Sequence, residues 1–386
     1  MDLLKQEVLE VNTTENIFKD SFSKVFKDIN IFIDFLYERE NNSEWFRIPS
    51  NYLSIIGLDT ESEMTNLFYY STRNEVIQDT KCNSNLLIMT DCGVFPLRDT
   101  SIKTLLERAK INGTALGRLK RSIFAEIVNH CLDISKGEAL LKIQDEKVSA
   151  IHGGDDCDYA ILNIREIFEA TESYLNTEFP DNIFKSGYYD HSITSGLWDL
   201  SQENELIREY KELLEHHGIE LEIKPAIRVS SSDVGILGAN IYPIISLGDK
   251  NIVLGSILKL NHKNKADIDN FKTNLSMIFS QFSKGIDSLK KLMDIRITNT
   301  RNCMGNIMKK IALPKKHSLE TIELFTVQNG DKPASAHDIF YAISEILFIM
   351  QREDEPTSRI ISTEENISRA LSLKWSDYDM YGEFKW

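Results

Sequence analysis

Apolar and polar positions alternate differently along the chain, and they divide it into a mixed first part, a β-rich middle and a helical last third. An apolar residue at every second position is typical of a strand, and a spacing of three to four is typical of a helix. This pattern predicts strands or hairpins at 67–70, 86–90, 94–97, 139–152, 186–200, 220–229, 236–247 and 252–260. It predicts helices at 14–38, 101–110, 114–133, 163–177, 202–217, 266–294, 299–312, 318–328 and 335–350, followed by a weakly helical tail with an aromatic end.

Two of the predicted helices carry apolar residues at seven-residue spacing. In 14–38 the seams are Phe18, Val25, Phe32 and Phe22, Ile29, Leu36; in 266–294 the main seam is Ile268, Leu275, Phe282, Leu289. A short seam is found both in helices that pack on their own domain and in helices that pair with a partner. The apolar face of 266–294 is wide, which favours a core helix.

The order of elements predicts an α+β fold, with an antiparallel sheet built from hairpins, several packed helices and a helical C-terminal third. No internal repeat and no low-complexity linker is present. These features favour one interwoven unit over two separate domains.

Composition indicates a soluble globular protein, with 42% hydrophobic and 27% charged residues. The five cysteines are scattered without metal-ligand spacing, so neither structural zinc nor a disulfide framework is expected. The N-terminus lacks a signal-peptide pattern, and no apolar run is long enough to span a bilayer. We therefore expect a cytoplasmic protein without a membrane partner.

Positive charge is concentrated in one segment of a chain whose net charge is −15. The segment 284–316 contains nine basic residues and two acidic ones, which gives it a local charge of +7. With a second cluster at 118–121, this segment predicts contacts to a phosphate backbone, although lysines along helices also form solvated faces. Aromatic residues that would stack on bases are absent from the segment. The predicted nucleic-acid-binding residues are Arg118, Lys120, Arg121, Lys290, Lys291, Arg296, Arg301, Lys309, Lys310, Lys315 and Lys316.

A glycine-carboxylate sequence follows the hairpin 139–152. Asp155, Asp156 and Asp158 could supply oxygen ligands to Mg²⁺, the only cofactor that the residues suggest. Alternatively, these side chains close a turn and cap the following helix. No catalytic residue is assigned: Asp190-His191 with Ser192 and Ser195 lacks a nucleophile elbow, and no glycine loop has the P-loop pattern.

Several segments together resemble the phage/plasmid-like protein family, a prophage and plasmid family of unknown function. They are INGTALGRLKRSIFAEIVNHCL, ALLKIQDEKVSAIHGGDDCDYAIL, YYDHSITSGLWDL, IRVSSSDVGILGANIYPIISL, IMKKIALPKK and ASAHDIFYAISEIL. LKLNHKNK stands where that family has an aromatic or cysteine-containing turn. The resemblance implies an N-terminal region at 1–80, the family domain at 81–375 and a tail at 376–386. It brings no catalytic residues.

These observations lead us to expect a non-enzymatic mobile-element protein of DNA metabolism that binds or anneals single-stranded nucleic acid, as a homo-oligomer. One alternative is a counter-defence protein whose acidic surface, including 14–38, binds a host protein. A second alternative is a Mg²⁺-dependent enzyme that uses Asp155 and Asp156.

Overall fold

The computed structural model describes residues 16–200, 204–217, 222–247, 250–255, 257–330, 332–382 and 384–386. It confirms the α+β class, with antiparallel sheets and a helical C-terminal region. The strands are β1 (Ser23–Phe26), β2 (Ser43–Pro49), β3 (Ser54–Gly57), β4 (Leu86–Thr90), β5 (Gly93–Pro96), β6 (Glu138–Gln144), β7 (Lys147–Gly153), β8 (Ile183–Asp190), β9 (Thr194–Asp199), β10 (Lys224–Ser231), β11 (Ala239–Leu247), β12 (Lys250–Val253), β13 (Leu258–Leu260), β14 (Arg296–Ile297) and β15 (Ala334–Ser335).

Helices and strands are interspersed up to residue 267, and the chain is mainly helical after it. They are α1 (Ile29–Asn41), α2 (Glu63–Ser71), α3 (Asn74–Cys82), α4 (Ser101–Arg108), α5 (Arg121–Asp133), α6 (Ile164–Glu178), α7 (Arg208–His216), α8 (Ile268–Leu275), α9 (Ile278–Met293), α10 (Thr300–Lys310), α11 (Lys315–Asn329), α12 (Ala336–Ser344), α13 (Ile346–Arg352) and α14 (Thr357–Ser368).

The largest sheet has the strand order β1-β8-β9-β10-β11-β12, with β13 also paired to β11. Its apolar face and the C-terminal helices share one hydrophobic core. The seam predicted in 266–294 lies in that core, since Leu275, Phe282 and Leu289 are fully buried. Gly285 on α9 lies so close to Leu254 that a Cβ atom there would be 2.5 Å from the leucine side chain.

Two three-stranded sheets, β2-β6-β7 and β3-β4-β5, form a second core with α4 and α5. The hairpin β6–β7 is the predicted one. Asp145 and Glu146 form its turn, and both have positive φ, 52° and 69°, as a type I′ turn requires. Strand β7 is buried almost throughout, and it ends at His152 and Gly153 beside the cavity described below.

The helix predicted at 14–38 is wrong for the described residues 16–28. They form a turn and β1, which pairs with β8, and the Val25 side chain is 60% exposed. Helix α1 begins at Ile29 because the Asp28 carboxylate caps it, accepting from the backbone N–H groups of Asn30 and Ile31 at 2.8 and 3.0 Å. The proposed acidic partner helix therefore does not exist as one helix. Residues 14 and 15 lie outside the described residues.

Two other predicted elements differ from the structure, a strand at 67–70 and a single helix at 266–294. Residues 67–70 are helical, because the Ser62 side chain caps α2 by accepting from Thr65 N at 3.1 Å. The long helix 266–294 is two helices, since Ser276 and Met277 form a turn and the Met277 backbone, at φ −91° and ψ 0°, leaves helical geometry. The apolar period continues across this break, which is why the pattern alone suggests one helix.

Strand pairs join residues 16–80 to the rest of the described chain: β1 pairs with β8, β2 with β6 and β3 with β4. A buried ionic network reinforces this union. Asp20 accepts from Arg98 at 3.2 Å and from Lys147 at 2.8 Å, and Lys147 also contacts Asp79. Across the described part of the chain, no helix is both long and apolar enough to cross a membrane.

Candidate functional site

The predicted nucleic-acid-binding residues lie on elements that pack against two different hydrophobic cores. Those at 118–121 lie in a 3₁₀ turn and at the start of α5, a helix whose apolar face belongs to the core of the small sheets. Those at 290–316 lie on α9, β14, α10 and α11, whose apolar faces belong to the core of the large sheet. Most are exposed and have no ion partner among the described residues: Arg118, Lys120, Lys291, Arg296, Arg301, Lys309, Lys310 and Lys315.

Three of the predicted basic residues are engaged. Lys290 contacts Glu209, Lys316 contacts Glu353, and the guanidinium of Arg121 lies 5.4 Å from the ring centre of Phe124. Exposed ion pairs of this kind contribute little to stability and exchange readily with solvent. With these contacts counted, α10 is the described helix that carries the most basic side chains without an ion partner.

The C-terminal tail packs on α10. The Asn302 side-chain amide donates to the carbonyl oxygens of Met380 and Gly382 at 2.8 and 2.7 Å. The Asp379 carboxylate accepts from Thr298 N and Asn299 N at the start of the same helix, at 2.9 and 2.7 Å. The tail is thereby fixed against the basic helix.

This packing supplies the aromatic residues that the basic segment lacks. The Phe384 ring lies over Gly305, and it contacts Trp386 edge-to-face with 5.8 Å between ring centres. Arg301, Gly305 and Lys309 are spaced four apart on α10, so the two cations flank the position that Phe384 covers. Tyr381 is 96% exposed beside this face. We call Arg301, Lys309, Lys310, Tyr381 and Phe384 the α10–tail surface. The aromatic end of the sequence was a signal for it, but its position was not predictable.

The three carboxylates proposed for Mg²⁺ lie in an exposed turn between β7 and α6. Asp158 N donates to the Asp155 carbonyl oxygen at 2.9 Å, and an Asp155 carboxylate oxygen accepts from Glu138 N at 3.3 Å. The helix-cap interpretation is wrong, because Asn163 caps α6 by accepting from Arg165 N at 3.0 Å. Asp155, Asp156 and Asp158 do not gather into a cluster of metal-ligand geometry.

Within the described ranges, only His317, Glu353 and Glu355 form such a cluster. Its carboxylates already have cationic partners, since Lys316 contacts Glu353 and Arg359 lies 2.7 Å from Glu355. These cations neutralise the charge that would attract a metal ion.

The polar group at 190–195 has structural roles. His191 is buried, and its Nε2 lies 2.9 Å from the Ile17 carbonyl oxygen. Asp190 closes the β8–β9 turn by accepting from Ser192 N and Ile193 N, both at 2.7 Å. Ser195 shares a hydrogen bond with Ser230 Oγ at 2.8 Å. No pair of a base and a nucleophile results.

A cavity of about 610 Å³ opens at the end of β7. Segments far apart in sequence line it: the end of α4, the end of the β6–β7 hairpin, the β10–β11 loop and the residues after β13. Two of these segments, the end of the hairpin and Ser-Asp-Val-Gly at 232–235, belong to the stretches that carry the family resemblance, and a third, LKLNHKNK, stands where that family has a different turn. The structure brings them together at His152, Gly235 and His262.

Stacked rings form one wall of this cavity. The His152 and Tyr159 rings are nearly parallel, with 3.7 Å between their centres, and His262 stacks on Tyr159 at 5.0 Å. Burial lowers the pKa of His152 to about 4 and lowers the pKa of His262, and burial raises the pKa of Tyr159. Both imidazoles are therefore neutral at pH 7.

Hydrogen bonds fix which ring nitrogen of each histidine carries the proton. His152 Nε2 donates to the Asp233 carbonyl oxygen at 2.8 Å, which leaves Nδ1 as an acceptor. His262 Nδ1 donates to the Ala160 carbonyl oxygen at 3.2 Å. His262 Nε2 and the Tyr159 hydroxyl are buried with no partner in the described part of the chain.

Comparisons of the chain with protein-family models, with curated proteins and with solved structures found no match. The family resemblance noted in the sequence therefore remains a prediction.

Proposed function

We propose that this protein binds single-stranded nucleic acid on the α10–tail surface, with α9, β14 and α11 extending the positive field. The observation that carries the proposal is the packing of the tail on α10, which puts aromatic rings beside unpaired basic residues. Single-strand binding combines cations that follow the phosphates with rings that stack on bases. The same face therefore offers both contacts, whereas the basic segment alone offers only charge.

The charge distribution supports this choice of ligand. A chain of net charge −15 repels nucleic acid over most of its surface, and the +7 of residues 284–316 opposes that repulsion locally. A bound nucleic-acid strand would therefore be confined to the positive region around residues 284–316. Binding of this kind needs no catalytic residue and no cofactor. Annealing in a phage or plasmid setting is the form of the proposal that the family resemblance suggests.

Fluorescence anisotropy with a labelled oligonucleotide of about 20 nucleotides, longer than one single-strand site, tests the proposal. We expect binding at low ionic strength that weakens linearly on a log–log salt plot, by a slope of about 0.7 for each phosphate contacted. Absence of salt-dependent binding by a folded sample would refute the proposal.

Matched tyrosine variants locate the surface. Tyr381→Ala removes a ring that is 96% exposed, and Tyr70→Ala removes one that is 90% exposed on α2. Neither substitution disturbs a core. We expect Tyr381→Ala alone to weaken binding, by about 1–3 kcal/mol for a lost base stack. Equal effects of the two variants would exclude the tail as a stacking surface.

Alanine variants test the two basic groups separately. Lys309→Ala should reduce the salt slope by about 0.7, as expected for one lost phosphate contact on a single strand. Arg118→Ala reports whether the cluster at 118–121 joins the same interface. Because that cluster lies on the other core, we expect no change in slope with a short oligonucleotide. A loss equal to that of Lys309→Ala would show that both groups contact one strand.

A further inference from the structure

We propose that the cavity at the end of β7 binds a mononucleotide, at a site separate from the α10–tail surface. A volume of about 610 Å³ lies within the range of small-ligand sites and accommodates a molecule of this size. Its walls provide the three kinds of contact that a base, a sugar and a phosphate require.

The base has a suitable place between apolar and aromatic groups. Ile236 and Leu237 line the cavity together with the stacked rings of His152, Tyr159 and His262. Sites for flat organic ligands place apolar or ring surface beside a few fixed polar atoms, and this part of the wall offers both. The acceptor His152 Nδ1 is one such atom, and it suits the amino group of a base.

A glycine keeps this edge of His152 uncovered. Gly235 has φ of +74°, and a Cβ atom there would lie 3.5 Å from His152 Cε1 and 4.0 Å from Nδ1. The β10–β11 loop thus approaches the ring without a side chain in between. Lys103 Nζ holds the loop in place by donating to the Gly235 carbonyl oxygen at 2.8 Å.

Cations for the phosphate come from two different segments. Lys110 and Lys263 line the cavity, are exposed and have no ion partner among the described residues. Arg108 also lines it, but its guanidinium donates to Ser50 Oγ at 2.6 Å and to the Lys136 carbonyl oxygen at 2.5 Å. The two lysines therefore remain for an anion, because Arg108 is engaged by the protein.

Asp158 provides an acceptor for hydroxyl groups. Its carboxylate packs against Gly153, where a Cβ atom would lie 2.7 Å from Asp158 Cγ. A carboxylate accepts hydrogen bonds from sugar hydroxyls but repels phosphate, so Asp158 suits the sugar and the two lysines suit the phosphate. This combination favours a mononucleotide over an inorganic anion.

Isothermal titration of the full chain with adenosine, cytidine, guanosine and uridine 5′-monophosphates tests the proposal, with the nucleosides and inorganic phosphate as partial ligands. We expect at least one monophosphate to bind at least about tenfold tighter than its nucleoside and than phosphate alone. Equal affinity of phosphate and nucleotide, or no binding of any nucleotide, would overturn the proposal.

Charge-reversal variants locate the site. Lys263→Glu should weaken binding roughly tenfold or more, whereas Lys265→Glu makes the same charge change two residues further along, outside the cavity, and should have no effect. Both side chains are exposed, so both variants are expected to fold. Nucleotide binding that Tyr381→Ala abolishes and Lys263→Glu leaves intact would place the nucleotide on the α10–tail surface and refute the cavity site. If the protein binds no oligonucleotide but binds a nucleotide that Lys263→Glu weakens, the proposed function is refuted and the cavity site is supported.

Discussion

The Phe384 ring packs directly over Gly305, so closely that a Cβ atom at position 305 would lie 2.7 Å from the ring. This contact, together with the Asn302 hydrogen bonds, determines where the tail lies. It therefore also determines whether aromatic side chains stand beside the basic residues of α10.

Replacing Gly305 by alanine should displace the tail. Because the helix backbone is fixed by its own core, the ring must move, and overpacking of this kind typically costs about 1–3 kcal/mol. We expect a lower urea midpoint and weaker oligonucleotide binding. Gly117→Ala is the matched control, since a Cβ atom there meets no neighbour within 4 Å. Unchanged oligonucleotide binding in a destabilised Gly305→Ala variant would separate the tail from the interface.

Stability should fall as pH is lowered from 6.5 to 4. Burial lowers the pKa of His152 from 6.5 to about 4, so in this window the unfolded chain binds a proton that the folded chain does not. The free energy of unfolding then decreases by up to about 3 kcal/mol from this group. Urea denaturation at several pH values measures the effect.

His152→Gln isolates the contribution of this residue. Glutamine retains a donor for the Asp233 carbonyl oxygen but does not titrate. The variant should lose less stability than the wild type between pH 6.5 and 4, with the remaining loss due to the other groups whose pKa is lowered in the folded chain, among them His191, His262 and Asp338. Identical pH profiles would show that His152 is not protonated on unfolding in this range.

Removing Glu364 should destabilise the protein strongly. Arg228 on β10 and Glu364 on α14 form an ion pair whose side chains are both buried. Loss of one partner of such a pair leaves a buried charge, which typically costs about 3–5 kcal/mol. Arg359→Ala breaks an exposed pair with Glu355 on the same helix and should cost less than about 1 kcal/mol. Thermal or urea denaturation measures the free energy of unfolding of each variant. Similar losses for the Glu364 and Arg359 variants would contradict the argument from burial.

Asp155 should act as a turn residue. Its carboxylate accepts from Glu138 N, so Asp155→Ala should cost about 1 kcal/mol, a typical value for one hydrogen bond. Because the three carboxylates do not gather, we expect millimolar Mg²⁺ to leave the melting temperature unchanged in wild type and variant alike. A Mg²⁺-dependent rise that is lost in Asp155→Ala would restore the metal site as a hypothesis.

Local signals predict much of the fold. The hairpin 139–152 was predictable because two apolar runs flank a short polar turn. The seam of 266–294 was correctly expected in the core, although it spans two helices. By contrast, the seam of 14–38 was misleading, because β1 pairs with a strand more than 150 residues away and the Asp28 cap starts the helix late.

The amino-acid sequence by itself determined the α+β class, the position of most hairpins and the concentration of basic residues at 284–316. These depend on neighbours in the chain, through backbone preference, apolar periodicity and local charge. Only the tertiary structure decided that the aromatic tail covers Gly305 and that His152, Gly235 and His262 line one cavity. Such contacts join residues that are distant in sequence, and they follow from how the helices and sheets pack, which no local pattern records.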